Sequence, residues 1–136
     1  MDAGSATRFA NVDLDLFAAH DLSDLVRAFE PGAFALNCMA AEGGYFANLE
    51  LASQPPDADT GILRFVELVD QLSPAARVWW NEASKRDFSI GVNAGSGASS
   101  FALALTPAVL ERVASVGARI VFVVYVDEDA VQPPSM

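Results

Sequence analysis

TPAVLERVASVGARIVFVVYVDED, residues 106–129, is the stretch whose reading decides the fold. Thr106 can cap a helix with its hydroxyl, and Pro107 suits the first helical position because its missing N–H has no partner there anyway. Val109, Leu110, Val113 and Ala114 then recur at helical spacing. Gly117 stops the helix, since glycine accepts the left-handed backbone of a helix end at no steric cost. The strand that follows, Arg119 to Asp127, is apolar on both faces, which predicts a central strand with a parallel neighbour. A similar order occurs in LDLFAAHDLSDLVRAFEPGAFALN, residues 14–37, as strand, helix, glycine and strand. The pair predicts two related β-α-β units.

Working outward, Val12, Leu14 and Leu16 alternate with Asn11, Asp13 and Asp15, the period of a strand with one wet side, from about Arg8 to Phe17. Leu22, Leu25, Val26 and Phe29 give a short helix with Asp21 as the expected N-cap, ended by Pro31-Gly32. Strands are expected over Ala33–Ala40 and Tyr45–Leu51, joined by a Glu42-Gly43-Gly44 hairpin turn. After the loop QPPDAD come a helix carrying Ile62, Phe65, Val66, Val69 and Leu72, then a second helix opened by Ser73-Pro74. Phe88, Ile90 and Val92 mark a fourth strand. Phe101, Leu103 and Leu105 mark a fifth, with NAGSGAS as the turn between them. The sum is an α+β two-layer sandwich: a mixed or antiparallel sheet of about six strands, helices on one face and pseudo-duplicated β-α-β units. It forms one domain over residues 1–136, with an ordered core of about 7–129 and loose ends at 1–6 and 130–136.

Composition bounds the partners. The chain has 136 residues, 52% of them hydrophobic, enough for a real core. Eighteen acidic residues against eight basic ones give a formal charge of −10. That disfavours nucleic acid and anionic membranes, which need concentrated Lys and Arg, and suits either solubility or a basic protein partner. A lone Cys38 precludes an intramolecular disulfide or a cysteine zinc cluster. The start, MDAGSATR, lacks the basic and apolar regions of a signal peptide, so a cytoplasmic location is expected.

LSDLVRAFEPG, GGYFANLEL, ELVDQLSP and FALALTPAVLERVASVGARIVFVVYVDED together resemble a bacterial domain-of-unknown-function family, number 4279. The resemblance spans about Phe9 to Asp129, and Tyr45-Phe46 stand where the family pattern leads one to expect another aromatic, often tryptophan. It implies a small bacterial α+β protein, and by analogy an accessory or immunity-type role beside a toxin. It brings no catalytic residues.

Each motif that could carry chemistry has a plainer reading. His20, Asp21 and Ser23 contain the residue types of a catalytic triad, but neighbours at a helix start are expected to be a cap beside a surface histidine. Cys38 has no basic neighbour in sequence and is expected to be buried and structural. Gly95-Ser96-Gly97 has no following lysine or helix, so a hairpin connection is expected rather than a phosphate loop. Asp57 with Asp59, and Asp127-Glu128-Asp129, lack the spacing and glycine of a calcium loop. Trp79-Trp80 is the pair to single out. Adjacent helical residues point about 100° apart, so one should pack and the other reach a rim, where tryptophan anchors partners.

No catalytic constellation emerges, no cofactor or metal is called for, and the enzyme question is left leaning to no. The leading expectation is a protein-binding accessory or immunity-type protein, with Trp79, Trp80, Asp127, Glu128 and Asp129 as contacts for a basic partner. The alternative is a small-molecule-binding domain or minor enzyme, with Asp13, Asp15, Asn37 and Asn48 lining a pocket between sheet and helices. The third is self-association through an unpaired edge strand, as monomer or homodimer.

Overall fold

In the computed structural model, which describes residues 6–97 and 100–126, β1 (Arg8–Ala18) buries Val12, Leu14, Leu16 and Ala18 and leaves the residues between them half-buried. The alternation in the sequence is thus the alternation of a strand with a single core face. The remaining elements are α1 (Ser23–Ala28), β2 (Ala33–Ala41), β3 (Gly44–Leu51), α2 (Ala58–Asp70), α3 (Pro74–Glu82), β4 (Lys85–Ala94), α4 (Pro107–Ser115) and β5 (Arg119–Val126). The protein is α+β, and the described residues form five strands in one mixed sheet of order β2-β3-β1-β4-β5. All neighbours are antiparallel except β4 and β5, which run parallel.

The helices cover the face that carries Leu14, Leu16, Leu49, Phe88 and Ile90. α2 supplies Ile62, Phe65, Val66 and Val69 to that core. Phe65 stacks on Phe88 at 5.9 Å, and Trp80 meets Phe29 at 6.2 Å. The expected caps form. Ser73 Oγ accepts the Ala76 N–H at 3.1 Å, and Thr106 Oγ1 accepts the Val109 N–H at 3.3 Å. Gly117 sits at φ +71, while Gly117 N–H donates to Ala114 O and Ala118 N–H to Val113 O, the paired bonds of a Schellman stop. At α1 the N-cap is Leu22, one residue later than expected. Asp21 instead accepts the Ser23 N–H through Oδ1 at 2.7 Å. No helix among the described residues is long and apolar enough to cross a membrane.

Three expectations are corrected. Phe101 to Leu105 is not a strand, and NAGSGAS therefore does not lead into a hairpin. β4 already has β1 and β5 on its two edges, and a parallel β5 requires the chain to travel back along the sheet before pairing. The segment makes that return. It reaches the start of α2, where Asp59 accepts the Thr106 N–H at 3.1 Å. Second, β5 is apolar on both faces yet lies at an edge, not in the centre, although its parallel neighbour is as expected. Third, the two β-α-β units differ in build: β3 lies between β1 and β2, whereas β4 and β5 are direct neighbours.

Candidate functional site

From Asn11 onward the odd-numbered residues of β1 point away from the helices, and strand register extends them into rows across the sheet face that no described helix covers. One row runs Asn37, Asn48, Asp15, Asp87 and Arg119; the next runs Phe34, Glu50, Asp13, Ser89 and Val121. Four carboxylates from three strands therefore lie on two adjacent rows. Asn48 Nδ2 donates to Asp15 Oδ1 at 2.7 Å and to Asp13 Oδ2 at 3.3 Å, and Asn11 Nδ2 donates to Asp13 Oδ1 at 3.0 Å. Amides rather than cations thus hold this pair of acids. Half-burial raises the Asp13 carboxyl above its ordinary range against the opposing Asn48 bond, with the Glu50 and Asp15 charges adding to the rise.

Asp87 is different. It is fully buried and takes two parallel hydrogen bonds from Arg119, Nε to Oδ1 and Nη2 to Oδ2, both at 2.8 Å, with Lys85 Nζ 3.8 Å away. The same carboxylate raises the Arg119 guanidinium above its usual range. This bidentate pair holds β5 to β4 and neutralises the Asp87 end of the face. Asp13, Asp15 and Glu50 remain as the acidic centre.

Asp13, Asp15, Asn37 and Asn48 thus share one sheet face, as their alternation implied. It is the face opposite the helices, so they do not line a space between sheet and helices. Concavities on the helix side have other linings, such as one of about 310 Å³ bounded by Gly32, Leu51, Arg64, Glu67 and Leu68.

Trp79 and Trp80 separate. Trp80 is fully buried, and its Nε1 donates to Val116 O at 2.8 Å, so it is a core residue and not a partner contact. Trp79 is 40% exposed beside the exposed Val78. Asp127, Glu128 and Asp129 lie outside the described residues. Cys38 is exposed on the edge strand β2, contrary to the buried thiol expected; Ser23 Oγ lies 4.0 Å from its sulfur. His20 is exposed, and Asp21 is held below the ordinary range by the Ser23 hydroxyl and then by the Ser23 N–H. Asp57 caps α2 by accepting the Thr60 N–H at 2.8 Å, which lowers its pKa, and Asp59 ties α2 to the start of α4. Among the described residues no group of three His, Cys, Asp or Glu side chains is placed to hold a metal ion.

Sequence reasoning placed Asn11 on the wet side of the first strand without giving it a role, and it missed Glu50 and the Asp87–Arg119 pair. The alternation of β4 carries a signal for Asp87, since it falls on the same face as Ser89 and Gly91. Arg119 stands 32 residues further on, and only the strand pairing joins the two. No protein-family model, curated protein or solved structure matches the chain.

Proposed function

We propose that this chain is a non-catalytic protein-binding domain whose open sheet face receives a basic protein partner, in an accessory or immunity-type role and a cytoplasmic setting. The likeness of LSDLVRAFEPG and the 101–129 stretch to the domain-of-unknown-function family number 4279 is part of the same proposal. The observation that carries it is the crowding of Asp13, Asp15 and Glu50 on the face that no described helix covers, with Asp13 raised by half-burial and by its acidic neighbours. Crowded carboxylates gain from an arriving cation what they lose to one another, so Lys or Arg of a partner is the complementary chemistry. The formal charge of −10 favours the encounter at long range.

The test is capture from native lysate with the tagged protein, compared with an Asp15→Lys/Glu50→Lys variant. Both side chains lie on the face away from the core, so the fold should tolerate the exchange. A basic protein held at low salt, released at high salt and lost with the variant is the expected result. Equal capture by the variant would remove the open face from the role. Trp79→Ala in the same assay decides whether the exposed indole belongs to the contact.

A further inference from the structure

The helix layer stops short of the last strand. By register Ile120, Phe122, Val124 and Val126 continue the helix-side face of Phe88, Ile90 and Val92. Ile120 packs on the core, but Phe122, Val124 and Val126 are each more than half exposed, and Tyr125 on the other face is nearly so. From Ile120 to Val126 the strand reads IVFVVYV, with no charge, glycine or proline. Its outer edge has no partner among the described strands, and its pairing with β4 shows no register shift. Such an edge is a template for another strand, and natural edges are blunted against that by bulges, charges or proline. β2, at the opposite edge, has such a device, a register shift between Ala35 and Asn37.

We propose that β5 pairs antiparallel with β5 of a second copy of this chain, about a two-fold axis at Val123, joining the two sheets into one. The strand is complementary to itself in that register. Phe122 falls opposite Val124, Ile120 opposite Val126, and Val121 opposite Tyr125, so apolar residues meet on both faces. Arg119, which heads the strand, is held by Asp87 of its own chain, so the pairing brings no unmatched cation to the seam. A basic partner finds no countercharge between Ile120 and Val126. The pairing is independent of the open-face reading, and each can fail alone.

Sedimentation equilibrium over about 5–500 µM tests it on the full chain, with Phe122→Lys and Val124→Lys beside the wild type. The wild type is expected to rise from 14.4 kDa towards twice that mass, and each lysine to weaken association at least about tenfold. A second variant guards against misfolding: Val123→Cys in a Cys38→Ala background sets two thiols opposite each other at the axis, and oxidation is expected to cross-link the dimer. A wild type that stays monomeric throughout overturns the proposal. So does a dimer indifferent to both lysines that fails to cross-link, and so does open-ended polymer, which would mark head-to-tail pairing of β5 with β2.

Discussion

Arg86 shows how one side chain can tie several elements. It leaves β4 on the helix side and donates through Nε to Gly117 O at 2.9 Å, and through Nη1 to Ala83 O at 2.6 Å, Asn81 O at 3.0 Å and Trp80 O at 3.2 Å. Helix C-termini leave carbonyls without intrahelical partners, and a cation there satisfies them while meeting the dipole. Arg86→Met keeps the stem but removes the donors at the ends of α3 and α4 together. It should cost about 2 kcal/mol in urea unfolding, with Arg86→Lys recovering only part because an ammonium cannot span the fork. A loss within experimental error would show that water replaces the guanidinium freely. Asp13 carries a prediction of opposite sign. Its carboxyl is raised in the folded state, so the folded chain binds more protons between the ordinary and the raised value, and stability falls as pH rises through that interval. Asp13→Asn keeps an oxygen for the Asn48 amide and removes the charge. It should raise the melting temperature near about pH 7, with the advantage gone at about pH 3, where the wild-type carboxyl is protonated in both states. An unchanged melting temperature at neutral pH would show that the crowding is harmless.

Elements with local signals were legible in the sequence: the Ser73-Pro74 and Thr106-Pro107 helix starts, the Gly117 stop and the alternation of β1 rest on neighbours within a turn or two. Elements defined by pairing were not. Phe101, Leu103 and Leu105 alternate like a strand, but alternation only says that one side is apolar, and Leu103 and Leu105 meet that need by packing on the core without a ladder. The acidic face was half legible for the same reason. Asp13 and Asp15 share a face by period alone, while Glu50 and Asp87 join them only through register. Close approach between elements was also hidden. Gly61 lies in α2 where it rests on β1; a Cβ there would come within 2.9 Å of Val12 Cγ2 and 3.0 Å of Pro55 Cγ. Helix propensity favours Gly61→Ala by about 1 kcal/mol. Overpacking opposes it by about 1–3 kcal/mol, and neither a β-branched valine nor a proline ring can swing aside. The substitution should therefore destabilise by about 1 kcal/mol in denaturant unfolding, and a gain would mean that α2 can lift off β1 at little cost.

At the scale of the whole molecule, the order β2-β3-β1-β4-β5 puts β1 in the middle and makes the two edges unequal. β1 has ladders on both sides and buries Val12, Leu14 and Leu16 in the common core, so opening it means breaking the entire sheet. Among the described strands β2 pairs on one side only, and its second half, from Asn37 to Ala41, is exposed. β5 also pairs on one side, and its apolar surface is what the sequence pattern of a central strand requires if a second chain completes it. Amide exchange reads all three. β1 should exchange last, at the rate set by global unfolding, and the second half of β2 first. Those rates should not change with protein concentration. The outward amides of β5 should slow as concentration rises from about 10 to 500 µM, because pairing with a second copy adds a ladder to that edge alone. Slowing at β2 as well would place the association on the other edge, and rates at β5 that ignore concentration would leave this strand as the exposed end of a monomeric sheet.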